Sequence, residues 1–242
     1  MRMMIFSRRN AKEILRDPLN LAFGLGFPVV LLLLLTAIQR NVPQSLFPLD
    51  RLTPGIAVFG LSFITLFSAT LISKDRKSAF LERLYTTPLT GSDFILGYTL
   101  PLLPIAVGQT VITYLTAVIL GLPMQKGIFL SVLQTVPSAI LFTAIGLLCG
   151  SVLTDKQVGG ICGAMLTNLT AWLSGAWFDL DLVGGAFRKL AVCLPFYHSV
   201  ESGKAALAMD LSGILPHILI TSAYAGVFLI AAVWVFLRQM KH

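Results

Sequence analysis

The chain has 242 residues, of which 56% are hydrophobic and only 12% charged, with a formal net charge of +7 and a mean hydropathy of +0.83. A soluble domain carries about 25% charged residues, so this chain has too few to cover a water-facing surface. Apolar segments of about 20 residues can instead cross a bilayer as helices. The basic excess needs no nucleic-acid partner, because basic residues flanking apolar spans are the ordinary topology signal. Cys149, Cys162 and Cys193 are odd in number and widely spaced. They fit neither a disulfide framework nor a zinc site, and read as small apolar packing residues.

Residues 1–17 read as a basic helix lying in the cytoplasmic interface. Met4, Ile5, Ala11, Ile14 and Leu15 would supply its apolar contacts, and Arg8, Arg9, Lys12 and Arg16 would meet anionic headgroups. A plain topology-setting tail is the alternative. Pro18 separates this segment from the first apolar run, which is too long for a signal h-region and is read as a retained span.

Hydropathy predicts six spans in one all-α transmembrane domain covering 1–242: Leu19–Ile38, Pro54–Ser73, Phe94–Leu120, Ile128–Leu153, Gln157–Trp177 and Gly213–Leu237. Pro101 and Pro104 would bend the third near its start. Between the second and third lies a charged loop, 74–93. Between the fifth and sixth lies 178–212, in which apolar runs alternate with Gly, Pro and charge. That interval could form two short helices dipping into the outer leaflet, which is tolerated only where protein or a water-filled cavity covers the backbone.

Six spans place both termini on one side. That side then holds twelve of the eighteen basic residues, so the termini and loop 74–93 are expected in the cytoplasm of a multi-pass protein of a cell membrane, bacterial plasma membrane by preference. Trp177 and Trp234 fall near opposite ends of their spans, as an aromatic belt predicts.

No P-loop pattern, H-E-x-x-H or plausible Ser/His pairing is present, so neither ATP hydrolysis nor other catalysis is expected of this chain, nor a metal site. The predicted spans contain no Asp, Glu, Lys or Arg. His217, near the outer end of the last, is their one readily titratable side chain. Ion-coupled carriers generally need intramembrane ionisable groups, so the spans can form a path but show no engine.

In the stretch KDRKSAFLERLYTTPLTGSDF, Phe80, Leu81, Leu84 and Tyr85 share one helical face. Lys77, Glu82 and Arg83 are left for contacts outside the bilayer. Pro88 ends the helix and restricts Thr87, and Thr90 or Ser92 can cap the third span. LERLYTTPL followed by Gly97 resembles the cytoplasmic loop of type-2 ABC exporter permeases. Glu82, Leu84, Thr87, Pro88, Leu89 and Gly97 match its pattern, while Ser78-Ala79-Phe80 departs from the usual Gly-Thr and Tyr98 replaces a basic residue. LSGAWFDLDL and LAVCLPFYHSVESGKAAL are similar to the same family's segment before the last span, a re-entrant helical hairpin with a Pro-x-Tyr element, here Pro195 and Tyr197. Asp179 stands where the family often has proline.

The resemblance implies an engine elsewhere: separate ATP-binding cassette subunits, carrying ATP and Mg, onto which the cytoplasmic loop docks as a coupling helix. Phe80, Glu82, Arg83, Leu84, Tyr85, Thr87 and Pro88 are its expected docking residues. A second permease copy, identical or related, would complete the path, flanked by the second and fifth spans. Candidates for lining or packing are Ser62 and Thr65 on the second, and Gly163, Thr167, Asn168 and Ala171 on the fifth. Such a lining suits an amphipathic or hydrophobic cargo, whether drug, lipid-like molecule or peptide. The competing class is a channel or secondary transporter that needs no ATPase.

Overall fold

The computed structural model describes residues 2–43, 46–78 and 90–239, and within them the regular elements are all helical. A basic helix α1 (Arg2–Leu15) precedes two long apolar helices, α2 (Pro18–Arg40) and α3 (Leu49–Lys77). After the loop come α4 (Gly91–Leu120) and α5 (Lys126–Val152). A short turn α6 (Asp155–Val158) runs into a π-helical stretch, Gly159–Leu166, and then α7 (Thr167–Leu173). Two short helices, α8 (Gly185–Val192) and α9 (Pro195–Leu207), lead to the last, α10 (Leu211–Gln239).

Among the described residues, five helices are long and apolar enough to cross a membrane: Asn20–Arg40, Leu49–Lys77, Gly91–Leu120, Lys126–Val152 and Leu211–Arg238. The segment expected as a fifth span, Gln157–Trp177, is not one regular helix. Its Gly159-Gly160 pair opens the π-helical stretch, where the backbone bonds skip an extra residue. Helix then stops at Leu173, two residues before Gly175 turns the chain at φ +68°.

α3 is the central helix, buried along most of its length and packed against α2, α4, α5 and α9. Its closest partner is α5, and the contact is made by small residues. A Cβ added to Gly146 would lie 2.6 Å from the Thr65 carbonyl oxygen, and one on Gly150 would lie 2.6 Å from that of Ala69. Backbones this close need glycine on one side. The hydroxyls of Thr65 and Ser68 then donate to the carbonyls of Phe142 (2.7 Å) and Thr143 (3.2 Å).

The larger core cluster fills the spaces between α3, α4, α5 and α10 with Leu61, Ile64, Leu102, Phe142 and a stacked Phe94–Phe236 pair. α10 itself turns Leu215, Leu219, Val227, Ile230 and Trp234 outward. An outward apolar face of this extent suits hydrocarbon rather than water.

Candidate functional site

The end of α3 that enters loop 78–90 carries four consecutive polar residues, each bound to a different element. The Ser73 hydroxyl donates to the α6 carboxylate of Asp155 at 3.4 Å, shared with the Thr70 carbonyl at 3.1 Å. Lys74 pairs loosely with Asp17, the cap of α2, at 3.7 Å. Asp75 receives both Arg9 guanidinium nitrogens from α1, each at 2.6 Å, and the Tyr98 hydroxyl from α4 at 2.7 Å. Arg76 donates to the Gly150 and Leu153 carbonyls at 3.1 and 3.2 Å, closing the C-terminus of α5 where a cation complements the helix dipole.

Asp75 is only 2% exposed, and a carboxylate so placed needs its charge matched and its oxygens bonded. Burial alone would lower the Arg9 pKa. The hydrogen bond to Asp75 and its charge outweigh that and raise it, so the guanidinium stays charged. Helix α3 continues beyond the predicted span end at Ser73 to Lys77, and takes Asp75 into the packed interior with its partners.

α1 is seated on α4 at the same point. Asn10, fully buried, donates from Nδ2 to the Gly97 carbonyl at 3.0 Å. Phe6 lies so close to Gly97 that an added Cβ would sit 2.1 Å from its ring, and its edge meets Tyr98 with ring centroids 4.9 Å apart. Phe6, Asn10 and Ile14 thus form the inward stripe at intervals of four. Met4, Ile5 and Leu15, expected as apolar contacts of an interfacial helix, are exposed. Tyr98, where the resembled loop has a basic residue, donates its hydroxyl to Asp75.

The expected docking residues Phe80, Glu82, Arg83, Leu84, Tyr85, Thr87 and Pro88 lie outside the described residues. Of the two candidate caps, Thr90 is the one used: its hydroxyl accepts from the Asp93 amide at 3.2 Å, and the Asp93 carboxylate accepts from the Thr90 amide at 3.1 Å.

Ser62 and Thr65 are fully buried, Ser62 donating to the Phe59 carbonyl of its own helix at 2.7 Å. Both serve contacts within the chain. In the broken segment, Gly163 and Thr167 are half-buried, Ala171 is buried, and Asn168 is exposed. The Asn168 amide donates back to the Ala164 carbonyl at 2.8 Å, and Thr167 donates to the Cys162 carbonyl at 3.2 Å. Gly159 and Gly160 have open space where a Cβ would project.

At the far end of the bundle, Pro195 is the first residue of α9, and Tyr197 borders a polar hollow of about 260 Å³ with Arg51, Asp181, Arg188, Glu201 and Lys204. Next to it lies a second hollow of about 380 Å³, bordered by Phe47, Leu52, Trp177 and Phe178. Below these, Ser131 links α4, α5 and α9: it pairs with the Tyr114 hydroxyl and donates to the Gly203 carbonyl at 3.0 Å.

Two features escaped the sequence reading. Gly146-x-x-x-Gly150 is a small-residue motif in plain view. The Arg9–Asp75 pair, by contrast, joins residues 66 apart and has no local signal.

A bundle of long apolar helices, with a basic helix clamped beside the loop and two short helices before the last span, has the make-up of a multi-pass membrane protein. Residues 1–208 match the family model for the ABC-2 type transporter. The chain belongs to that family, whose membrane proteins are the permease components associated with ATP-binding cassette subunits. No curated protein matches the chain.

Proposed function

We propose that the chain is the permease subunit of an ATP-driven exporter. Two copies, or this chain and a related one, enclose a path for an amphipathic or hydrophobic cargo, and separate ATP-binding subunits supply the energy. The broken segment Asp155–Leu173 serves as the sixth crossing, which leaves both termini in the cytoplasm, in line with the distribution of basic residues. ATP and Mg belong to the partner subunit.

The observation that carries this reading is the mounting of loop 78–90. Asp75 on its entry side is bonded both to α1 and to Tyr98 on its exit side. A load on the loop is therefore passed to three helices at once. The exposed, small and polar face of Gly159, Gly160, Ala164 and Asn168 supports a second permease at that surface, since small residues let helices approach and an amide in hydrocarbon gains from a partner.

The test is reconstitution of the chain with its ATP-binding subunit. Glu82→Lys, or Leu84→Pro, should leave the protein inserted while abolishing co-purification and cargo-stimulated ATP hydrolysis. Wild-type coupling in both variants would overturn the docking role. Transport by the isolated chain in liposomes would replace the exporter with a channel or carrier.

A further inference from the structure

His217 does not stand alone. Its Nδ1 lies 2.8 Å from Nδ1 of His198, and Nε2 of His198 lies 3.0 Å from the Val192 carbonyl oxygen. The pair joins three elements: Val192 ends α8, His198 sits in the first turns of α9, and His217 belongs to α10. His198 is 7% exposed.

The protons in this chain of contacts follow from chemistry. A carbonyl oxygen only accepts, so Nε2 of His198 carries a proton. A neutral His198 then presents a bare Nδ1, and His217 must donate its own Nδ1–H to it. One added proton can be accommodated, because His198 then donates from Nδ1 and His217 accepts. A second cannot: both facing nitrogens would carry hydrogens and both rings a positive charge, at a distance that allows neither.

The surroundings decide which state is held. α9 contributes Tyr197, whose ring stands edge-on to His198 at 5.4 Å and to His217 at 6.2 Å, together with Glu201 and Lys204. α8 contributes Arg188 and Lys189, α10 contributes Tyr224 and Arg238, and α5 has only Lys126 and Cys149, near its two ends. Glu201 is the one carboxylate among them, and it favours the charged form of His198. Burial, and next the neighbouring His217, nonetheless lower the His198 pKa.

We infer that His198 and His217 form a proton-binding latch that fastens the α8–α9 hairpin to α10 when neutral and releases it when both rings are charged. The second tie between hairpin and α10, Tyr224 donating to the Cys193 carbonyl at 2.7 Å, holds the two elements near one another after release. The sign follows from the direction of the shift. A base whose pKa is depressed in the closed state binds more protons when opened, so closure is favoured above the ordinary histidine range and lost as pH falls through it.

The experiment uses the full chain in nanodiscs of uncharged lipid, labelled with 15N-histidine. At about pH 8 the rings should show a proton on Nε2 of His198 and on Nδ1 of His217. Amide hydrogen exchange, corrected for the intrinsic effect of pH, should rise about tenfold or more across α8 and early α9 on acidification to about pH 5. His217→Gln keeps a group that can donate to, or accept from, His198 Nδ1 but cannot be charged. It should hold the neutral-pH protection and lose the acid response. His217→Phe should raise the His198 pKa, since the neighbouring charge that lowers it is gone. Independent titration of the two rings, an unchanged His198 titration in His217→Phe, or acid opening that persists in His217→Gln would each overturn the latch.

Discussion

The Arg9 guanidinium meets both oxygens of the Asp75 carboxylate at 2.6 Å, joining the first described helix to the last turn of the central one. Because Asp75 is buried, deleting one partner costs more than deleting both. Arg9→Met should destabilise the protein by about 3–5 kcal/mol, the range for an uncompensated buried charge. Adding Asp75→Leu should restore most of that, while ATPase coupling stays impaired. Thermal unfolding of the two variants in the same detergent, with ATPase assays on the complexes, checks both parts. Equal losses of stability would show that Asp75 does not depend on Arg9.

The α3–α5 contact gives a sharper stability test. Gly146→Ala and Gly150→Ala each drive a methyl into a backbone oxygen at 2.6 Å, so each should cost several times more than Ala at Gly108 or Gly226, where nothing lies within 4 Å. The open sites should tolerate Ala within about 1 kcal/mol, with a gain from helix propensity. Yield of monodisperse protein and its melting temperature are the readouts.

A second permease can be separated from internal packing at the broken segment. Gly160→Leu projects into open space, and Asn168→Leu replaces an exposed side chain. Both should leave the folding of the single chain intact and abolish its association with a second permease. Cross-linking and mass determination in nanodiscs report the association. Met165→Leu, exposed but conservative, serves as control. Normal assembly in both Leu variants would move the interface elsewhere.

Orientation can be read with native chemistry. Cys193 is exposed, so a membrane-impermeant thiol reagent should reach it from outside intact cells. In a Cys193→Ala background, Ser78→Cys should react only after the cytoplasmic side is opened. The reverse pattern would invert the topology and with it the docking of loop 78–90.

The long helices were legible because hydropathy is a property of consecutive residues, and α3 and α4 differ from the predicted Pro54–Ser73 and Phe94–Leu120 mainly in polar end turns such as Lys74–Lys77. The π-helical stretch was not legible: Gly159, Gly160 and Gly163 read equally well as a packing stripe, and hydropathy carries no hydrogen-bond register. The inward face of α1 was hidden for a related reason. Asn10 looks like a surface residue until its amide finds the Gly97 carbonyl, 87 residues away. His217 appeared isolated because His198 lies outside any apolar run.

Ser73, Lys74, Asp75 and Arg76 point in successive directions about 100° apart around the α3 axis, and each is anchored to a different neighbour. No side of the helix end is left free. A torque about that axis would have to break at least one anchor, whereas a tilt can carry all the neighbours along. Any stroke delivered through loop 78–90 therefore enters the membrane as a swing of the whole base, and never as the spin of a single helix.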